Sequence, residues 1–153
     1  EALDASLAAC PTPGRFDVLQ NEPLILIDAC HNPQSCENFV SSLDEINPDA
    51  ALRPLLLTAA LADKDVSGIV DVLVPAFPRI VVTQTMSDRA IPAQDLAQLV
   101  LDKLEELGRP SSDLIEVVPS VSDAVECLAA AGEAFVAAGT ITLAGEVAGI
   151  MRG

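Results

Sequence analysis

Short apolar runs alternate with longer segments of mixed polarity along most of the chain. Runs of four or five apolar residues bounded by turn-forming residues are typical of buried strands. Five such runs predict five strands, and an apolar segment in front of them predicts an additional edge strand. In chain order the edge segment and the five strands are Phe16–Leu19, Leu24–Ile27, Leu55–Thr58, Ile80–Thr83, Leu114–Val118 and Thr140–Ala144.

The segments between these runs repeat apolar residues every three or four positions, which is the spacing of one helix face. The first helix has clear end signals, because Asn32 is a good N-cap, Pro33 suits the first helical position and Asn47 precedes a proline. Further helices are predicted from Val66 to near Pro75, from Pro92 to Gly108, from Ser120 or Ser122 to Gly139, and after Gly145-Glu146.

Alternating strands and helices with short connections predict an α/β fold. We expect a Rossmann-like, doubly wound, mostly parallel sheet of about six strands with helices on both faces. The chain has four Phe and neither Trp nor Tyr, so the core consists mainly of aliphatic residues, as in parallel sheets covered on both faces. Ligands of such sheets lie at the carboxyl ends of the strands. The candidate site is therefore expected in residues 28–32, 59–65, 84–89 and 145–146.

Composition narrows the classes of function. A chain of 153 residues, half of them apolar, is long enough for one domain with a sizeable core. The formal net charge of −15 argues against nucleic-acid binding, which requires clustered Lys and Arg. No apolar run approaches the roughly 18 residues of a membrane span, and no basic segment typical of a secretory signal precedes an apolar one. We therefore expect a cytoplasmic protein. The chain starts at Glu1 without an initiator Met, which fits a fragment but does not prove one.

Four cysteines stand at Cys10, Cys30, Cys36 and Cys127. A chain this long and apolar does not need a disulfide framework, so reduced thiols are the better interpretation. Cys30 and Cys36 flank a strand-to-helix turn that contains His31, but their spacing matches no common zinc pattern. We predict no metal site in this chain.

The densest polar cluster follows the first buried strand and contains Asp28, His31 and Asn32. A carboxylate, an imidazole and an amide at one strand end can present several hydrogen-bonding groups to a ligand, and His31 is the single histidine of the chain. A structural interpretation is equally open. In that case Asn32 caps the helix and Asp28 accepts hydrogen bonds from nearby backbone N–H groups.

Two further segments carry charges at predicted ligand-facing positions. Arg15 lies in a Gly-Pro turn before the edge strand, and its guanidinium could donate bidentately to a phosphate or form an ion pair. Lys64 and Asp65 follow the strand Leu55–Thr58. They could contact a ligand, or Asp65 could only favour the dipole of the next helix.

Several catalytic motifs are missing from the sequence. The chain has no G-x-x-x-x-G-K-[ST] phosphate loop, no G-x-G-x-x-G after the first strand and no G-x-S-x-G elbow. We assign no catalytic residue in this chain. The residues alone indicate an α/β ligand-binding domain that is incomplete as an enzyme.

The polar cluster also resembles a known family. Pro13–Arg15 followed by Pro23–Pro33 is similar to the start of the C-terminal domain of folylpolyglutamate/dihydrofolate synthases in the Mur ligase superfamily, where the pattern reads P-G-R and then D-G-A-H-N-P. Ala62–Asp65 resembles the family's M-x-D-K-D turn, and Ser87–Ala90 resembles the segment before the next helix. Gly139–Val147 resembles the closing G-S-L-Y-L-V-G-E-V. The resemblance extends from Pro13 to the C-terminus.

Ala29 and Cys30 depart from the family pattern, since Gly and Ala are usual there, but both are small. Murein-precursor ligases more often carry Tyr after the Asp, or a D-N-P-R motif, and this chain has neither. These differences favour the folate branch. A murein-ligase C-terminal domain and a stand-alone α/β binding module remain the alternatives.

The resemblance implies an ATP-dependent ligase that adds glutamate to folate or dihydropteroate through an acyl phosphate. It implies that an N-terminal ATPase domain of the same polypeptide holds the phosphate loop and the Mg²⁺ ligands. By position, Arg15 would contact the ATP phosphates and Asp28 the nucleoside, while His31, Asn32, Lys64 and Asp65 would line the shared cleft. Residues 13–153 would form the glutamate ligase domain, and residues 1–12 a linker or the end of the preceding domain. The domain would be inactive alone.

Overall fold

One twisted sheet organises the residues that the computed structural model describes, which are 17–49, 52–109 and 114–152. Within these residues six strands pair in the order β1-β2-β6-β3-β4-β5. Four of the predicted strands match the structure closely, and the predicted edge strand is confirmed. The strands are β1 (Asp17–Asn21), β2 (Leu24–Ile27), β3 (Leu55–Thr58), β4 (Ile80–Val82), β5 (Ile115–Val117) and β6 (Phe135–Ala137).

The sheet is parallel except at one edge. β2, β6, β3, β4 and β5 all run in the same direction, and β1 pairs with β2 in the antiparallel direction. The central strands β6, β3 and β4 are buried along their whole length, which explains why their sequences are continuous apolar runs rather than alternating ones. This confirms the predicted mostly parallel α/β sheet.

Helices cover both faces of the sheet. Leu26, Leu56 and Val82 point into one apolar cluster, where they meet the first three helices. The alternate residues Ile25 and Leu57 point into the second cluster, with the last two helices. The helices are α1 (Pro33–Ile46), α2 (Val66–Leu73), α3 (Ala93–Glu106), α4 (Val121–Ala130) and α5 (Ile141–Arg152), and a 3₁₀ turn (Val74–Ala76) follows α2. No helix in the described part of the chain is long and apolar enough to span a membrane.

The end of the chain differs from the prediction. The predicted strand Thr140–Ala144 is wrong, because this segment begins α5, and the Ala-rich helix ends near Ala130 instead of Gly139. The last strand is β6, which lies between the end of α4 at Ala130 and the start of α5 at Ile141. Its three residues lie in an Ala-rich stretch that lacks β-branched character apart from Val136. The threonines in residues 140–144 favour a strand by their β-branched side chains. The buried residues of this part of the chain nevertheless follow helical spacing, at Leu143, Ala144, Val147 and Ala148.

A buried arginine, which the sequence did not single out, joins three segments away from the strand ends. Arg53 is 5% exposed. Its guanidinium donates to the carbonyl of Asn47 at the end of α1 and to the carbonyl of Ala76, both at 2.9 Å, and pairs with Asp44. The guanidinium of Arg53 is thus engaged with three segments of the fold, away from the carboxyl ends of the strands.

Candidate functional site

The connections after β2 and β6 leave the sheet in opposite directions. β2 and β6 are parallel neighbours, but α1 packs on one face of the sheet and α5 on the other. Such a divergence is the topological switch point at which doubly wound folds bind ligands. We call the residues that follow β2, β6, β3 and β4 the carboxyl edge; they are residues 28–32, 138–140, 59–65 and 83–91.

Asp28 stands at the end of β2 and is 4% exposed. Its backbone N–H donates to the carbonyl of Ala137 at 3.0 Å, which continues the pairing of β2 with β6. Its carboxylate accepts the N–H of Cys30 at 2.9 Å and thereby shapes the turn into α1. The local structural role that the sequence left open for Asp28 is therefore present.

His31 and Asn32 form the entry to α1. The Asn32 side chain accepts the N–H of Ser35 at 2.8 Å, and the Ser35 hydroxyl accepts the N–H groups of His31 and Asn32 at 3.0 and 3.2 Å. The predicted N-cap is confirmed and is part of a capping box. The N–H groups of His31, Asn32 and Ser35 are thereby satisfied within the domain itself.

The His31 ring is half-buried and lies close to its own backbone. Nδ1 is 3.1 Å from the carbonyl of Ala29. If Nδ1 carries the proton, it donates to that carbonyl, and Nε2 of the neutral ring is then an acceptor. In that tautomer Nδ1 is held by the Ala29 carbonyl, and Nε2 has no hydrogen-bond partner among the described residues.

Lys64 and Asp65 lie beside this entry. Asp65 is the N-cap of α2 and accepts the N–H of Gly68 at 3.0 Å. A Cβ added at Gly68 would lie 2.6 Å from both the Asp65 carboxylate and the ring of Pro33, so the first turns of α1 and α2 are in close contact. Lys64 is exposed and has no carboxylate within ion-pair distance among the described residues. Lys64 thus directly precedes the N-cap of α2, whose first turn contacts that of α1.

Gly139 explains how β6 and β3 can approach each other at the carboxyl edge. Its φ of +129° is outside the range that other residues adopt readily. A Cβ there would lie 2.6 Å from the hydroxyl of Thr58 and 2.8 Å from the carbonyl of Ala59. Only glycine fits, because the neighbour is backbone and cannot move aside.

The segment after β4 carries features that sequence reasoning missed. Thr83 and Thr85 are 0% and 4% exposed, and each has a hydroxyl without a hydrogen-bond partner in the described structure. The N–H of Met86 donates to the carboxylate of Glu146 in α5 at 2.9 Å. Gly145-Glu146 was predicted to follow a strand and instead lies inside α5, but Glu146 still reaches the carboxyl edge through this hydrogen bond.

The two cysteines at the α1 entry are buried, reduced and packed together. A hydrogen bond with the Cys36 thiol, together with burial, raises the pKa of the Cys30 thiol far above its usual range, and the Asp28 charge adds to this effect. Thiols that remain protonated are poor nucleophiles and poor metal ligands. In the described part of the chain no three His, Cys, Asp or Glu side chains are close enough to hold a metal ion.

Asp28, His31, Asn32, Lys64 and Asp65 are thus gathered at one side of the carboxyl edge, around the first turns of α1 and α2. Arg15 lies outside the described residues. The gathered groups include a buried carboxylate, an imidazole and an exposed ammonium, which suit a polar, partly anionic ligand.

Comparison with known proteins agrees with this architecture. The family described as "Mur ligase, glutamate ligase domain" matches residues 14–143. The dihydrofolate synthase/folylpolyglutamate synthase of Mycobacterium tuberculosis is 33% identical over 149 residues, which cover 92% of this chain and 30% of that protein. A probable bifunctional folylpolyglutamate synthase/dihydropteroate synthase of Halobacterium salinarum is 29% identical over 82% of this chain and 14% of its own length.

Solved structures show the same relation. Folylpolyglutamate synthase of M. tuberculosis, complexed with ADP and AMPPCP, superimposes with a TM-score of 0.80 and 26% identity over 96% of this chain and 34% of that one. The bifunctional enzyme of Yersinia pestis, complexed with AMPPNP and a Mn ion, shares the fold at 20% identity, with a TM-score of 0.75 over 94% of this chain and 32% of its own. The chain spans about a third of the length of these structures. The chain belongs to the Mur ligase glutamate ligase domain family, and its relatives in that family are folylpolyglutamate/dihydrofolate synthases.

Proposed function

We propose that this chain is the C-terminal domain of an ATP-dependent ligase that adds glutamate to folate or to dihydropteroate. The observation that carries the proposal is the similarity to M. tuberculosis folylpolyglutamate synthase, which covers nearly the whole chain in both sequence and structure. That enzyme was solved with ADP and AMPPCP, so nucleotide use is the most direct property to transfer.

The proposed chemistry divides the work between two domains. ATP phosphorylates a carboxylate on the folate side and leaves as ADP. The amine of glutamate then attacks the acyl phosphate, phosphate leaves, and an amide bond forms. The phosphate loop and the ligands of Mg²⁺ would belong to the N-terminal ATPase domain, which is the partner of this domain in the same polypeptide.

In this division the chain closes over ATP and completes the cleft. Asp28 would accept hydrogen bonds from the nucleoside, and Arg15 would donate to the phosphates. His31, Asn32, Lys64 and Asp65 would line the cleft, where the Lys64 ammonium suits a carboxylate or a phosphate. Closure positions the reactants and excludes water, which is how a domain without catalytic groups of its own contributes to rate.

The same proposal sets the limits of the domain and its compartment. Residues 13–153 would form the glutamate ligase domain, with residues 1–12 as a linker or as the end of the preceding domain. The parent enzyme would work in the cytoplasm, with ATP, glutamate and a folate as its small-molecule ligands.

The test is an ATP-dependent ligation assay on the full-length enzyme and on this chain alone. Labelled glutamate is offered with dihydropteroate, with a reduced folate, and with a nucleotide-linked murein precursor. We expect the full-length enzyme to use one or both pterins, and the isolated chain to remain at background because it lacks the phosphate loop. Turnover by the isolated chain, or a preference of the parent for the murein precursor, would overturn the proposal.

A further inference from the structure

The loops that follow β3 and β4 are joined to each other at the carboxyl edge. The N–H of Ala62 donates to the carbonyl of Arg89 at 2.7 Å, and the N–H of Ile91 donates to the carbonyl of Ala60 at 3.1 Å. Leu61 and Ala90 face each other as an antiparallel bridge between these bonds. The two loops therefore form a short ladder outside the parallel sheet, which we call the loop clasp (residues 60–62 and 89–91).

An ion pair continues the loop clasp toward Lys64. The guanidinium of Arg89 donates to the carboxylate of Asp63 at 2.7 Å, and both side chains are about half exposed. Asp63 directly precedes Lys64, whose ammonium has no carboxylate partner among the described residues. The backbone that carries Lys64 is thus fixed on one side by the loop clasp and on the other by the Asp65 cap of α2.

A third contact ties the β4 loop to the opposite face of the sheet. Glu146 lies in α5, and its carboxylate accepts the N–H of Met86 at 2.9 Å across 60 residues of sequence. Met86 and Arg89 belong to the same loop, and Arg89 N–H donates to the Ser87 hydroxyl at 3.1 Å between them. The contacts therefore run from α5 through the β4 loop to the turn that presents Lys64.

We infer that Glu146 and Arg89 are positioning residues: they brace the β4 loop and, through the loop clasp, hold Lys64 at the carboxyl edge. The inference rests on the proposed function for the role of Lys64, but the brace itself is a property of this domain. The inference assigns a structural role to two segments that have no role in the proposed nucleotide site, Ser87–Ala90 and Gly145–Val147.

Stability alone does not explain these contacts. Exposed ion pairs contribute little to folding, because solvent screens them and holding two long side chains costs entropy. The structure contains a matched pair at the other end of the sheet: Arg79 donates to Glu133 at 2.7 Å with similar exposure. Arg79→Ala and Arg89→Ala should therefore change the melting temperature equally, and only Arg89→Ala should affect the carboxyl edge.

The first experiment measures amide hydrogen exchange by NMR in the isolated chain. Glu146→Ala should raise exchange at Met86 and also at Ala62 by roughly tenfold or more, because opening of the loop clasp becomes easier. Glu146→Gln keeps a carbonyl acceptor and should stay close to wild type. Glu126→Ala removes an exposed glutamate from α4 and is the control. The N–H of Leu56, which donates to Arg79 inside the sheet at 2.9 Å, reports global opening and should not change.

Either of two results would overturn the brace. In the first, Ala62 exchanges at the wild-type rate in Glu146→Ala although Met86 is released, which means that the contacts are not coupled. In the second, the exchange rate of the Leu56 N–H rises together with that of the Ala62 N–H in Glu146→Ala, which means that Glu146 only supports global stability. Should Glu146→Ala fail to fold, Arg89→Ala provides the same comparison, with Lys64 N–H exchange as the readout and Arg79→Ala as the control.

The second experiment uses the full-length enzyme. Arg89→Ala should lower kcat/KM by raising the KM for glutamate or ATP on the order of tenfold, since small misplacements of a binding group are costly. Arg89→Lys should recover part of this loss, and Arg79→Ala should behave as wild type. Equal kinetics for Arg89→Ala and Arg79→Ala would refute the positioning role. Exchange in the isolated chain does not depend on the reaction, so a failed brace and a failed ligase assignment give different results.

Discussion

Replacement of Asp28 separates its structural role from its proposed contact with the nucleotide. The carboxylate is 4% exposed and accepts the N–H of Cys30 at 2.9 Å. Asp28→Ala leaves this buried N–H without its acceptor, which costs about 1–3 kcal/mol. For a domain of this size, that loss lowers the melting temperature by about 2–12 °C.

Asp28→Asn is the decisive companion variant. The amide oxygen can still accept the Cys30 N–H, so the free energy of unfolding of the isolated domain should stay within about 1 kcal/mol of the wild-type value. The charge, however, is gone. A charge-assisted hydrogen bond is roughly twice as strong as a neutral one, so the full-length Asp28→Asn enzyme should show an ATP KM raised on the order of tenfold. Asp28→Ala should in addition lose closure and reduce turnover by roughly 10²-fold.

The assay pairs thermal melting of the isolated domain with steady-state kinetics of the full-length enzyme at varied ATP. Two outcomes for Asp28→Asn decide whether Asp28 contacts the nucleotide. Normal melting with a raised ATP KM in Asp28→Asn supports the contact with the nucleotide. Normal melting with an unchanged ATP KM would refute it and would leave Asp28 as the residue that shapes the turn into α1.

Three further predictions concern the same edge of the sheet. Gly139→Ala should destabilise the isolated domain by about 2 kcal/mol or more, measured by urea unfolding, because its Cβ would meet backbone at a strained φ; unchanged stability would contradict this packing. Thr83→Val should leave the melting temperature unchanged or raise it, since the hydroxyl has no partner among the described residues, whereas Thr140→Val should lower it, because the N–H of Thr142 loses its acceptor. A lower melting temperature for Thr83→Val would indicate that a water or a ligand binds the Thr83 hydroxyl. Iodoacetamide at pH 8 should modify exposed Cys127 and spare Cys30, whose pKa is raised by the hydrogen bond with its neighbouring thiol and by burial; peptide mapping that finds Cys30 modified would contradict this.

Local signals explain which parts of the fold could be predicted from the sequence. β2 and β3 have the predicted bounds, because each is a continuous apolar run with proline in front of it. The start of α1 was equally clear, since Asn32 and Pro33 satisfy two independent preferences of a helix N-terminus. The N-cap of α1 follows the end of β2 by only a few residues. No tertiary information was therefore needed to predict that Asp28 and His31 lie at the same strand end.

The remaining features depend on contacts between distant residues. The position of β6 was predicted wrongly because the strand is short and lies in an Ala-rich stretch, and what makes it a strand is its position between β2 and β3. The hydrogen bond from Met86 to Glu146 joins residues 60 positions apart and leaves no trace in local periodicity. For the same reason the orphan hydroxyls of Thr83 and Thr85 could not be anticipated, since a threonine after a strand is ordinarily satisfied by nearby backbone.

The distribution of polar groups fits the proposal that this domain folds alone and shares its site with a second domain. The Asn32–Ser35 capping box satisfies backbone donors at the entry to α1, and the Asp65 side chain caps the first turn of α2, so side chains of the domain itself cap both helix starts. The groups left for a ligand, among them the Lys64 ammonium and one nitrogen of His31, lie on exposed or half-buried side chains that water solvates at little cost. A second domain that removes this water would strengthen their electrostatic interactions at the moment of closure. In the proposed two-domain ligase, this arrangement would favour a domain that is stable before its partner docks and becomes effective only afterwards.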